Sequence, residues 1–128
     1  MVFVLAMLLH PDVQRKAQAV LDAVLGSSRL PTFDDRNRLR YIDHVVYETY
    51  RWAPLAPMGI PHKSLHDDIY QGMLIPAGSI VFANSHAMSR DARLYRDPDM
   101  FDPDRYLPVA EGGRGEPVPV GQFGFGRR

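Results

Sequence analysis

Cysteine is absent from the 128 residues, which excludes disulfides, a cysteine nucleophile, cysteine-ligated zinc and any thiolate-held iron supplied by this chain. Net charge is absent too. Fifteen Lys and Arg balance fifteen Asp and Glu, so no basic excess draws the chain toward nucleic acid or an anionic membrane surface, and a nucleic-acid partner is not expected. A long hydrophobic run is also missing. The opening stretch Val2 to Leu9 is apolar throughout, but it is far short of the ~20 residues that span a bilayer, and no Lys or Arg precedes it as in a signal peptide. It reads as a buried helix end, and no membrane anchor is expected in this chain. What is present, 45% hydrophobic and 23% charged residues, is ordinary for one soluble globular domain and too apolar for disorder.

Glycine and proline are scarce in residues 1–53, which hold only Pro11, Gly26 and Pro31 of the ten glycines and eleven prolines. The chain therefore changes character near Pro54: helices before it, turns, short strands and long loops after it. Pro11 suits a first helical turn, Asp12 complements the dipole, Val13, Ala17, Val20, Leu21, Val24 and Leu25 recur at helical spacing, and Gly26 stops the helix. A second helical pattern, capped by Asp34 or Asp35, places Leu39, Ile42, Val45, Val46 and Thr49 on one side and ends at Trp52-Ala53-Pro54, with room for a break near Arg40. Beyond it, Met58 to Ser64, Ile69 to Ile75 and Ile80 to Ala83 read as strands. His66-Asp67-Asp68 is the expected turn between the first two, and Pro76-Ala-Gly-Ser79 a β-turn before the third. Asn84 or Ser85 can cap a short helix to about Arg90. From Asp97 onward, prolines and the Gly112 to Gly115 cluster predict a long irregular connection.

The chemistry-bearing residues are few. Glu48 and Arg51, three apart on a helix, share a face and can pair, which on spacing alone is an ordinary solvated pair worth ~0.2–0.5 kcal/mol. His62 and His66 lie near Asp67 and Asp68 across a predicted hairpin rather than on one helix face, so no zinc site is expected. Ser79 has no Gly-x-Ser-x-Gly elbow around it, and hydrolase chemistry has no support. The C-terminal Gln-Phe-Gly-Phe-Gly-Arg-Arg is more unusual. Its alternating glycines let backbone approach a planar ligand, its Phe residues offer apolar faces, and its arginines can bind carboxylate or phosphate. A phosphate loop would need Lys-Ser/Thr and a following helix, and an RNA-binding glycine-arginine tail would need more repeats and a basic chain.

Taken in order, these segments resemble the cytochrome P-450 family of haem-thiolate monooxygenases, specifically the C-terminal half of a eukaryotic, fungal member. Glu48-Thr-Tyr-Arg51 is similar to the family's Glu-x-x-Arg, and Pro61-His62 to the strand that meets a haem propionate. Phe101-Asp-Pro-Asp-Arg-Tyr106 is similar to its Pro-Glu-Arg-Phe segment, with Asp104 for Glu and Tyr106 for Phe. Phe123-Gly-Phe-Gly-Arg-Arg128 resembles the start of its Phe-x-x-Gly-x-Arg-x-Cys-x-Gly haem loop. The fold so implied is mainly α with a small β-sheet (α+β), a partial P-450 fold with helices in 1–53, short strands in 58–83 and an irregular meander in 97–128.

The resemblance implies a buried structural triad of Glu48, Arg51 and Arg105, haem contacts at His62, Phe123, Gly126 and Arg128, and a substrate pocket segment at Leu55, Met58, Gly59 and Ile60. It implies haem b as cofactor and O2, a small lipophilic substrate and an NADPH-dependent reductase as partners, at the endoplasmic reticulum membrane. The family's axial cysteine would fall two residues past Arg128, so this chain offers no metal ligand and no catalytic residue of its own. The expectation is a single partial domain over 1–128 that is inactive alone. The competing expectation is a non-catalytic pseudoenzyme or interaction module derived from that fold.

Overall fold

In a computed structural model of the protein, residues 1–26, 29–121 and 124–125 are described. The first helix, α1 (Val2–Leu9), stops at His10, whose φ of −126° and ψ of 70° are those of a residue pushed out of the helical region by the following proline. Pro11 then opens α2 (Pro11–Leu25), with Asp12 in the first turn and Gly26 at φ 67° ending it. The apolar opening stretch is thus a helix of its own rather than a buried helix end. Only Ala6 and Met7 of it are buried, while Phe3, Val4, Leu5, Leu8 and Leu9 are half or more exposed. The break at His10 is packed, its ring stacked on Phe101 with centroids 5.0 Å apart and edge-on to Trp52 at 6.0 Å.

A 3₁₀ turn at Phe33–Arg38 precedes the third helix. Thr32 is its cap, accepting from the Asp35 backbone while the Asp35 carboxylate accepts from the Thr32 amide, so the expected aspartate cap is the reciprocal partner of a threonine instead. The chain breaks at Leu39, as the pattern near Arg40 allowed, and α3 runs over Arg40–Trp52. This helix has two buried stripes. Tyr41 and Val45 join Ala6, Met7, Val13 and Phe101 in the apolar core, while His44, Glu48 and Arg51, at i, i+4 and i+7, are buried along an adjacent stripe. That second stripe carries a buried charge network.

The expected strands are shorter than their apolar patterns. β1 (His62–Lys63) pairs antiparallel with β4 (Ile80–Val81), His62 opposite Val81. Met58 to Pro61 cannot extend β1: Gly59 sits at φ 64°, where a Cβ would lie 2.9 Å from the Ala83 carbonyl oxygen, and Pro61 has no N–H to give. Ile69 to Ile75 is not one strand but most of a hairpin, β2 (Asp68–Tyr70) and β3 (Met73–Ile75), turned at Gln71 and Gly72 with φ of 49° and 79°. Two successive positive φ values make a type I′ turn, which matches strand twist. The chain still bends at Leu65 and His66 between β1 and β2, with Asp68 taken into β2, and the Gln71–Gly72 turn is an additional one inside the expected strand. The Pro76–Ser79 turn forms as expected, Ser79 N–H donating to the Pro76 carbonyl at 3.1 Å with Gly78 at φ 86°. The short helix follows as α4 (Ser85–Ser89), capped by the Asn84 side chain accepting from the Ala87 amide.

Residues 91–121 form an irregular wall around 3₁₀ turns at Pro103–Tyr106 and Val109–Glu111. Residues 107–115 make a loop closed at its neck, where Gly115 N–H donates to the Leu107 carbonyl at 2.8 Å and Glu116 N–H to the Arg105 carbonyl at 2.9 Å. No helix among the described residues is long and apolar enough to cross a membrane.

Candidate functional site

The side chains of Glu48, Arg51 and Arg105 are wholly buried, each at 0% exposure. Helical spacing turns Arg51 back onto Glu48, its Nε donating to Oε2 and its Nη2 to Oε1, both at 2.8 Å, a bidentate pair. Arg105 comes from the distant 3₁₀ turn, and its Nε donates to the same Oε1 at 3.1 Å. Two further donors complete the shell: the Asp102 amide to Oε1 and the Tyr106 hydroxyl to Oε2, each at 2.8 Å. A carboxylate has about four lone-pair sites, so five donors leave Glu48 no capacity to move a proton or hold a metal. Its arrangement is that of an anchor.

The two arginines spread that anchor over the irregular chain, which has few regular hydrogen bonds of its own. Arg51 donates to the Ser89, Pro98 and Met100 carbonyls at 2.9, 2.6 and 2.9 Å, tying α3 to α4 and to the 98–100 segment. Its guanidinium also lies 5.4 Å from the Tyr95 ring centre. Arg105 donates to the Arg96 and Met100 carbonyls at 3.0 Å and to a second carboxylate, Glu116. Burial would raise the Glu48 pKa, but the Arg51 hydrogen bonds and charge, the Asp102 amide and Arg105 outweigh it and hold the carboxyl below its ordinary range. Burial first, and then the Glu48 charge, push the Tyr106 hydroxyl up, so it remains a donor.

His44 shares this stripe. It is buried edge-on to Tyr106 at 5.8 Å, and its Nδ1 has no partner among the described residues. Burial first, then the nearby Arg40 charge, lower its pKa from 6.5. Both groups give stability the same sign. A histidine depressed on folding costs stability as pH falls below its unfolded value near 6.5, and a carboxylate depressed on folding does so below about 4.5. Denaturant titration from pH 7 to pH 4 is therefore expected to show a gradual loss below 6.5 that steepens near 4.5, with His44→Phe removing the first part; stability flat down to pH 4 would contradict the assignment.

Asp104, by contrast, points outward and meets Lys16 at 2.6 Å with 47% and 42% of the two side chains exposed. An ion pair this wet is worth about 0.2–1 kcal/mol. The Lys16 ammonium also lies 4.5 Å from the Tyr41 ring centre, a contact worth about 0.5–1 kcal/mol. Lys16→Ala is therefore expected to cost no more than about 2 kcal/mol in chemical denaturation.

The other expected site residues are not gathered around this network. His62 is exposed on β1. Leu55 and Ile60 are 90% and 76% exposed, Met58 is half exposed, and Gly59 adopts the positive-φ turn already described. Phe123, Gly126 and Arg128 lie outside the described residues. Conversely, sequence reasoning missed the Tyr106 hydroxyl, the Asp102 amide and Glu116 as partners of the triad. Only the tyrosine had a signal, since it stands where the family motif has phenylalanine.

The cytochrome P450 family model matches residues 1–128. The cytochrome P450 monooxygenase claR of Ampulloclitocybe clavipes is 50% identical over 127 residues, an alignment covering 98% of this chain and 24% of that protein. Cytochrome P450 monooxygenase 136 of Postia placenta is 49% identical with the same shares covered. A zebra fish cytochrome P450, in a structure with abiraterone, superposes with a TM-score of 0.86 at 32% identity, covering 99% of this chain and 29% of that one. The chain belongs to the cytochrome P450 family, and it spans about a quarter of the length of the curated relatives it matches.

Proposed function

We propose that these residues are part of a haem-dependent monooxygenase that inserts one oxygen atom from O2 into a small lipophilic substrate, drawing electrons from an NADPH-dependent reductase. The family match across all 128 residues carries this reading, and fungal relatives named monooxygenases support it. When bound, haem b supplies the oxygen-activating redox chemistry. The protein's task is to hold, orient and shield that group.

The donor set suits such a ligand. An exposed imidazole at His62 can donate to a haem carboxylate, as can a guanidinium at Arg128, and both are assigned to the propionates. Phe123 and Gly126 are assigned to the haem-facing loop, aromatic face and small residue together allowing close backbone approach. Leu55, Met58, Gly59 and Ile60 are assigned to the substrate pocket, where exposed apolar side chains such as Leu55 and Ile60 would meet a lipophilic molecule. Glu48, Arg51 and Arg105 have no contact with substrate in this scheme; they hold the 96–106 wall against α3. With no cysteine among the 128 residues, they are catalytically inactive alone, and the thiolate comes from elsewhere in the whole protein. The endoplasmic reticulum membrane is its proposed location.

The test uses the full-length gene product, purified with haem. A thiolate-type spectrum with reduced haem and carbon monoxide, and one labelled oxygen atom in product when supplied with reductase, NADPH and labelled O2, are expected. Haem bound without a thiolate spectrum would overturn the reading.

A further inference from the structure

The part of the buried network that no motif announces lies at Glu116. Its side chain is 9% exposed. One carboxylate oxygen accepts from Arg105 Nη1, the other from the Arg96 amide at 3.1 Å. Its own N–H donates to the Arg105 carbonyl, so this residue grips Arg105 by backbone and side chain together. On the wetter side Arg114 stands 3.7 Å from the carboxylate and is itself paired with Asp102 at 3.2 Å.

Charge gives the first reason this contact matters. Glu48 is one carboxylate facing two buried guanidiniums, Arg51 and Arg105, and burying an uncompensated cation is costly. Glu116 supplies the second negative charge. Burial would lower the Arg105 pKa, and the Glu116 hydrogen bond, then the Glu48 charge, more than reverse that. Geometry gives the second reason. Glu116 is the first residue beyond the neck of the 107–115 loop, and the chain runs from it through Pro117-Val-Pro-Val-Gly121 toward the glycine-aromatic segment. Two prolines in five residues leave that run little freedom, so its direction is set where it starts.

We propose that Glu116 is a positioning residue: its carboxylate locks the loop neck onto Arg105 and fixes the course of residues 117–121 against the Glu48 network. The proposal rests on the monooxygenase reading above, because the segment that follows residue 121 is the one assigned there to haem. Glu116 touches neither haem nor substrate in this scheme. It acts through Arg105 and through the chain it anchors, and charge rather than shape is what it contributes.

The test compares Glu116→Gln and Glu116→Asp in full-length holoprotein. Glutamine keeps the size but loses the charge; aspartate keeps the charge on a shorter stem. Hydrogen exchange at the Arg96, Gly115 and Glu116 amides reads the neck directly, and the carbon monoxide spectrum reads thiolate ligation. Glu116→Gln is expected to speed exchange at those amides roughly tenfold or more, as losing a charge-assisted hydrogen bond would, and to lower the thiolate-ligated fraction. Glu116→Asp is expected to retain the greater part of both. Wild-type behaviour of the glutamine variant, or equal damage in both variants, would overturn the proposal. If the glutamine variant does not accumulate, recovery of folded Glu116→Asp supports a charge role, and loss of both overturns it in favour of a shape requirement. Should the wild-type protein itself lack a thiolate spectrum, the monooxygenase reading falls, while the exchange measurement still decides whether Glu116 holds the neck.

Discussion

Glu48→Gln in the full-length protein is expected to abolish stable haem incorporation and to lower unfolding stability by about 3–5 kcal/mol, the range for breaking a buried ion pair from one side. Glutamine has nearly the shape of glutamate, so packing is not what fails. Every lone pair of the Glu48 carboxylate faces a donor: Arg51 Nε and the Tyr106 hydroxyl on one oxygen, Arg51 Nη2, Arg105 Nε and the Asp102 amide on the other. An amide NH2 in either position sets donor against donor, and removing the charge leaves Arg105 paired with Glu116 and Arg51 with no carboxylate partner among the described residues. The consequence spreads because Arg51 and Arg105 also collect the carbonyls of Ser89, Arg96, Pro98 and Met100. Haem content per chain and denaturant midpoints check it. A fully loaded variant within about 1 kcal/mol of wild type would show that the network is dispensable.

The same network shows what the sequence could and could not reveal. Helical spacing put Glu48 beside Arg51, but nothing in a three-residue interval distinguishes a buried pair from a wet one. Only a second wall of protein, the 95–106 segment, removes the water, and that wall is irregular chain whose path no periodicity encodes. Family resemblance supplied Arg105 as the third member. Glu116 stayed hidden because it reaches Arg105 from eleven positions further along the chain, across the 107–115 loop, and loop closure depends on hydrogen bonds between backbone groups that every sequence possesses. The hairpin at Gln71-Gly72 was obscured for a related reason. Two positive φ angles are usually announced by Asn-Gly or Asp-Gly, and glutamine gives no such warning. By contrast, the ends of α2 and the cap of α4 were legible, since Pro11, Gly26 and Asn84 act through their own local covalent chemistry.

Gly113→Ala is expected to open the loop neck and to cost about 1–3 kcal/mol, toward the upper end, because the obstruction is backbone rather than a side chain that could swing away. A Cβ built on Gly113 would lie 2.2 Å from the Leu107 carbonyl oxygen and 2.3 Å from the Leu107 Cβ. That carbonyl is the acceptor for Gly115 N–H, so any shift that relieves the clash pulls apart the bond that closes residues 107–115. Glu116 follows directly, and its hold on Arg105 must weaken with it. The neighbouring glycine provides the comparison. Gly112 sits at φ 83°, and a methyl group added there would meet nothing within 4 Å, so Gly112→Ala costs only left-handed backbone strain of roughly 1–2 kcal/mol and leaves the neck in place. Hydrogen exchange at the Gly115 and Glu116 amides separates the two: fast in Gly113→Ala, near wild type in Gly112→Ala. Equal exchange in both variants would mean that the neck tolerates the methyl group and that Glu116 is held by something other than the loop it closes.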